Sequence, residues 1–168
     1  MLTAMTSLLI VAGRRLKEEW TVKHVDIYIT HNMASLKAGR AAYVYVICAG
    51  TSRGDATCGE FGVEQDVTVN RINLYALRSA LGHFTKPAEI TVYTDSSVVA
   101  GAFNCGNLDT WIKNGFHTAR GQMVSNADLW HEVADRTCRH IMNAVLTKDH
   151  LYTGWAHEAL LKKYGKAQ

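Results

Sequence analysis

The chain has 168 residues, 48% of them hydrophobic, with 18 Lys/Arg against 15 Asp/Glu and a net charge of +3. That length and apolar content fit one domain with a sizeable core, and so small a positive excess does not by itself mark a nucleic-acid binder. One proline, Pro87, and no Gly/Ser/Pro-rich tract leave no evident interdomain linker.

The N-terminal run AMTSLLIVAG, residues 4–13, precedes RRLKEEW. It is shorter than the roughly 20 apolar residues of a membrane span, and no positive segment comes before it as in a signal peptide. Leu9, Ala12, Leu16 and Trp20 share one helical stripe, which predicts a packing helix over 4–20 within an N-terminal extension of residues 1–21. A peripheral anchor is the alternative. HVDIYIT, residues 24–30, and AAYVYVICAG, residues 41–50, are rich in β-branched and aromatic residues and read as strands, with a weaker third strand around 56–64. Three strands so close in sequence predict an antiparallel meander.

From Asn70 to Leu81 the period changes, and Ile72, Leu74, Leu77 and Leu81 mark a helix face. Asn70 is a candidate cap for that helix. AEITVYT, residues 88–94, is a buried strand, and SSVVAGAF starts another helix. Residues 126–146 place Leu129, Val133, Cys138, Ile141 and Val145 near one stripe, predicting a long helix capped by Ser125 with Asp128 three residues on. LYTGW, residues 151–155, reads as a last strand before the helical AHEALLKKYG. Cys48, Cys58, Cys105 and Cys138 form no CxxC pair and match no zinc spacing. They read as reduced, mostly buried thiols of an intracellular, cytoplasmic protein.

Six segments, VDIYIT, NRINLYALRSAL, VYTDSSVV, WIKNGFHTARG, SNADLW and GWAHEAL, together resemble ribonuclease HI in order and approximate spacing, over roughly residues 22–165. The resemblance implies an α/β, ribonuclease-H-like domain over 22–168, with a mixed five-stranded sheet flanked by helices. Members of that family cut the RNA strand of RNA–DNA hybrids with four carboxylates and two magnesium ions. Carried over position by position, the resemblance retains one carboxylate, Asp95. Thr30 stands for the first-strand aspartate, Asn73 for the helix glutamate, Trp155 for the loop histidine, and Gly165 for the last aspartate. Asp26 cannot replace the residue at Thr30, because four strand residues span roughly 13 Å. His31 does not reproduce the charge of a bridging carboxylate, and His157 is a candidate base only if the loop shifts.

Paired magnesium ions need hard anionic oxygens to offset their mutual repulsion, and one aspartate does not supply them. Asp95 therefore reads as a strand-end or helix-N-terminal carboxylate, or as a weak metal ligand. The expectation is a noncatalytic domain, without a cofactor, that binds an RNA–DNA hybrid or structured nucleic acid. Candidate contacts are Asn70, Arg71, Trp111, Lys113, His117 and Arg120, since cations hold phosphates and an exposed indole stacks on bases. Trp111 and Phe116 alternatively anchor the connection between helices. Two other readings stay open: a protein-interaction or assembly domain, and an active hybrid endoribonuclease using magnesium or manganese.

Overall fold

The computed structural model describes residues 6–11, 14–19 and 22–166, with side chains from residue 22 onward. Strands β1 (Thr6–Val11) and β2 (Arg14–Glu19) pair antiparallel, with Leu9 opposite Leu16. This corrects the helix expected over 4–20, of which Ala12 and Trp20 lie outside the described residues. A short apolar run does not distinguish helix from strand by period, Gly13 costs a helix interior about 1 kcal/mol, and β-branched Ile10 and Val11 favour extended backbone.

The main sheet has strand order β5-β4-β3-β6-β7. Strands β3 (Lys23–His31), β4 (Gly39–Thr51) and β5 (Gly54–Val67) form the expected antiparallel meander. β6 (Ala88–Thr94) runs parallel to β3 and alternates buried and half-buried residues along its length. Between them, α1 (Val69–Leu81) buries Ile72, Leu74, Leu77 and Leu81, as its period predicts. Its cap is Thr68, whose hydroxyl accepts from the Arg71 amide, and not Asn70, which is already helical. α2 (Ser97–Asn104) and α3 (Asn107–Lys113) follow β6, and Ser96 caps α2.

The long helix expected over 126–146 stops early. α4 (Ala127–Thr137) gives way to β7 (Ile141–Leu146), which adds parallel to β6. Ile141 and Val145 are four apart and fit either period; the extended pairing with β6 decides the outcome. The N-cap of α4 is Asn126 in the left-handed region, φ 60°, without a side-chain cap, so the proposed Ser125–Asp128 box does not form. The strand expected at 151–155 is instead a turn leading into α5 (Thr153–Tyr164). There the Thr153 hydroxyl accepts the His150 amide and His150 Nδ1 accepts the Tyr152 amide, which closes the turn locally.

The large core lies between the sheet and α1, α2 and α4, centred on Ile27, Tyr45, Leu74, Ile90, Leu129 and Trp130. On the opposite face Ala156 and Leu160 of α5 pack on Ala42 and Val44 of β4. The free edge of β7 is closed by a side chain: Asn104 Nδ2 donates to Ala144 O at 2.7 Å, and the Ala144 amide donates to Asn104 Oδ1 at 2.9 Å. One amide side chain thus takes the place of a neighbouring strand. All four cysteines are free, but Cys58, Cys105 and Cys138 are exposed and Cys48 only half-buried, correcting the expected burial. Among the described residues no helix is long and apolar enough to cross a membrane.

Candidate functional site

β3 and β6 are parallel neighbours in register through Tyr28 and Tyr93, so both strands end at the same edge of the sheet. That edge carries Thr30 and His31 from one strand and Thr94 and Asp95 from the other. The first turns of α1 supply Asn73, which is fully buried. Its Nδ2 donates to Asp95 Oδ1 at 2.9 Å and to Val69 O at 2.8 Å, and its Oδ1 accepts the Thr94 hydroxyl at 2.7 Å. Every polar hydrogen and the oxygen of that amide are therefore committed within the protein.

The second carboxylate oxygen belongs to His31. Its Nδ1 accepts the Met33 amide at 3.2 Å, which assigns the proton to Nε2, and Nε2 donates to Asp95 Oδ2 at 2.9 Å. Burial pushes the Asp95 carboxyl upward. The hydrogen bond and charge of His31 and the hydrogen bond from Asn73 outweigh it and hold the group below the ordinary carboxylate range. Beyond Asp95, the Ser96 hydroxyl donates to Asn70 Oδ1 at 2.8 Å, tying the start of α2 to that of α1.

A second histidine reaches this edge from the loop between β7 and α5. His150 Nε2 lies 2.9 Å from Thr30 Oγ1 and 3.1 Å from Ile29 O; the carbonyl only accepts, so Nε2 is the donor. Burial lowers the His150 pKa, the Ile29 carbonyl partly opposes this, and the charge of His157 lowers it further. Both ring nitrogens of His31 and of His150 are thus engaged by the protein.

An open cavity of about 900 Å³ lies beside Asp95. Its wall includes Thr68 and Asn70 at the start of α1, Ser97 at the start of α2, Ser125 and Asn126 at the start of α4, and Lys148. Three helix N-termini therefore face one space, where unpaired amides and the positive ends of the helix dipoles favour an anion.

Asn73 and Asp95 bond directly and His31 joins them, while Thr30 at the same sheet edge bonds His150, and Trp155 and Gly165 lie apart from them. Trp155 lies in the first turn of α5, 52% exposed, with its ring 6.3 Å from Phe61, and Gly165 is the C-cap of that helix. The ungapped placement failed because β7 ends at Leu146, so the loop serving the site is 147–152 and the histidine in it is His150. Among the expected nucleic-acid contacts, Asn70 lines the cavity. Arg71 does not point into it: Nη1 and Nη2 take Asp128 at 3.0 and 2.6 Å, with Asn126 and Tyr75 as further partners. Trp111 packs against the core with its ring 5.1 Å from Trp130, and Phe116 is buried against His131, so the anchoring role weighed for both is the one they fill. Lys113, His117 and Arg120 are exposed. Sequence reasoning missed His150 and Lys148; recognising β7 would have placed both at the sheet edge.

Among the described residues no three His, Cys, Asp or Glu side chains converge as a metal site. Residues 27–155 match the family model for RNase H. The curated Ribonuclease H of Chlorobaculum parvum is 30% identical over 128 residues, 76% of this chain and 84% of that protein. That of Moorella thermoacetica is 31% identical over 129 residues, 77% and 82% respectively. The Chlorobium luteolum protein is 37% identical over 97 residues, 58% of this chain and 66% of its own length. In fold the chain is similar to LC9-RNase H1, described as a type 1 RNase H with the type 2 active-site motif, with a TM-score of 0.64 at 17% identity over 88% of this chain and 78% of that one. It is also similar to LC11-RNase H1 in complex with RNA/DNA hybrid, with a TM-score of 0.51 at 14% identity over 80% and 91%.

Proposed function

The chain belongs to the RNase H family, and we propose that it is a noncatalytic member that binds an RNA–DNA hybrid or structured nucleic acid. The observation that carries this reading is the state of Asp95. It is the one carboxylate among the lining residues of the cavity, and its two oxygens already hold His31 Nε2–H and Asn73 Nδ2–H. Two divalent cations at reacting distance need several anionic oxygens between them. Thr30 and Asn73 bring none, and each is turned to a protein partner. The donor set does not fit the family's metal pair. Neither histidine has a free ring nitrogen to serve as a base.

Support for binding comes from the groove. Its helix N-termini and Lys148 suit phosphate oxygens, and Asn70 keeps its Nδ2 without a protein partner among the described residues. An active hybrid endoribonuclease is the second reading, favoured by the name its curated relatives carry and by the retained Asp95. One titration separates the two. A labelled RNA–DNA hybrid is expected to bind the full chain with an affinity that falls as salt rises, and to stay intact in excess magnesium or manganese. Cleavage that needs the metal and disappears in Asp95→Asn establishes the second reading; no salt-dependent association refutes the first.

A further inference from the structure

The two edges of the main sheet are finished differently. Asn104 closes β7 with a pair of hydrogen bonds, whereas β5, at the other edge, runs for 14 residues without such a closure. Among the described residues no strand pairs with its outer side, and the backbone of residues 55–66 bonds to no other strand than β4. Every second residue of such a strand turns its N–H and C=O away from the sheet, where another chain can pair with them. The register with β4 sorts the side chains of β5 onto two faces. Glu60 and Glu64 stand opposite Tyr45 and Ala41, on the side of the large core, with Gly62 between them. Phe61 and Val63 stand opposite Val44 and Ala42, on the side that α5 covers. There the indole of Trp155 is 52% exposed beside the Phe61 ring, and Lys163 Nζ lies 4.6 Å from the centre of that ring. β5 itself carries Asp55, Glu60, Glu64 and Asp66 and no Lys or Arg.

We infer that β5 and Trp155 form a docking edge for an extended segment of a partner protein in which Lys or Arg alternates with apolar residues. An added strand lies about 5 Å from β5 and sets its side chains opposite those of β5 on alternate faces. On the core side its cations meet Glu60 and Glu64. Glu60 has His83 at 3.8 Å, and Glu64 has no cation partner among the described residues. On the α5 side Lys163 already supplies a cation, so apolar residues belong there, against Phe61 and the open face of Trp155. A second copy pairing through its own β5 brings further carboxylates and no cation, and like charges across a strand pair are destabilising. The chain as a whole carries +3, so a basic segment is drawn by this edge and not by net charge. The inference does not rest on nucleic-acid binding.

Calorimetric titration of the full chain with a capped peptide of about seven residues, alternating lysine and valine, tests it. The expected result is saturable one-to-one binding that is lost when glutamate replaces the lysines. Glu60→Gln combined with Glu64→Gln should weaken it at least tenfold, and Trp155→Ala severalfold. Where circular dichroism shows that Trp155→Ala has not folded, two methylated peptides decide with the unaltered chain, one carrying N-methyl groups at every lysine and the other at every valine. One of them should bind at least tenfold more weakly than the other, because a strand offers only one of its edges to β5. Absent binding, equal effects of the two methylations, or indifference to the glutamate substitutions overturns the inference and leaves the carboxylates as charges that keep the edge unpaired. A dimer mass by light scattering, with β5 amides protected from exchange before any peptide is added, overturns it in favour of a second copy.

Discussion

Asn73→Asp replaces one amide nitrogen by an oxygen at the centre of the candidate site and isolates the electrostatics on which the functional reading depends. The new side chain keeps the shape of the old one and still accepts the Thr94 hydroxyl, but it loses the donors to Asp95 Oδ1 and Val69 O. A hydrogen bond to a charged group contributes about 1.5–3 kcal/mol and a neutral one about 1, so the combined loss at high pH is about 2.5–4 kcal/mol. It also brings a second carboxylate within about 3 Å of the first at a fully buried position, so the pair retains a proton and the introduced group titrates above the ordinary value near 3.9. The deficit is therefore largest near pH 8 and shrinks as pH falls through that raised pKa. The unaltered chain behaves oppositely. Its Asp95 has a depressed pKa, so the stability it contributes is fully present above the ordinary carboxylate value and is lost only as pH falls through the depressed one. Urea unfolding followed by circular dichroism at pH 8 and pH 5 measures the deficit, since the contribution of Asp95 in the unaltered chain is intact at both. A deficit below about 1 kcal/mol at pH 8, or one that does not narrow at pH 5, refutes the claim that Asn73 is a proton donor to an ionised Asp95.

Asn104→Ala removes both hydrogen bonds that close the β7 edge, and because water solvates the freed groups the expected cost is about 1–2 kcal/mol in urea unfolding. The opened edge should also produce concentration-dependent association by light scattering; unchanged stability and mass would show that the side chain does not guard the edge. Arg71→Ala removes a clamp between α1 and α4, and since Asp128 is 60% exposed it should cost about 1 kcal/mol or less. Hybrid affinity should be unchanged by Arg71→Ala and weakened severalfold by Lys148→Ala, measured by fluorescence anisotropy. The reverse ranking refutes the placement of the anion-binding groove.

The strands β3, β4 and β6 and the helix α1 were legible because each buries a run whose period is decisive over its own length. Ile72, Leu74, Leu77 and Leu81 admit one face of one helix, and AEITVYT one buried strand. β7 was not legible. Its residues are largely exposed, and Ile141 and Val145 suit either period; its extended form is set by pairing with β6, some 50 positions earlier in the chain. That one misreading carried others with it, since the reach of Lys148 and His150 to the sheet edge depends on where β7 ends. Asp95 and Asn73 were identified from a resemblance, but their bond was not foreseeable from local sequence. Nor was the role of His31, which lies 64 positions from its acceptor and acquires it through the β3–β6 register. Trp111 shows the limit of composition: beside Lys113 it looks like a stacking platform, and only the position of Trp130 turns it inward.

Under the noncatalytic reading, the substitutions at the sheet edge answer a single electrostatic problem. Converging carboxylates repel one another and persist in a half-enclosed site only where cations offset them. A lone aspartate removes most of that repulsion but leaves two oxygens that must be satisfied as water is withdrawn. Asn73 and His31 supply one donor to each oxygen. Each is itself held by backbone of the cavity rim, Asn73 by Val69 and His31 by Met33. The carboxylate's pairing and the shape of the groove are therefore one arrangement. These hydrogen bonds satisfy Asp95 without cancelling its charge, so the groove sets one carboxylate against three helix N-termini and Lys148. Its phosphate affinity under this reading rests on the helix N-termini and Lys148, which lie along the wall beside that carboxylate.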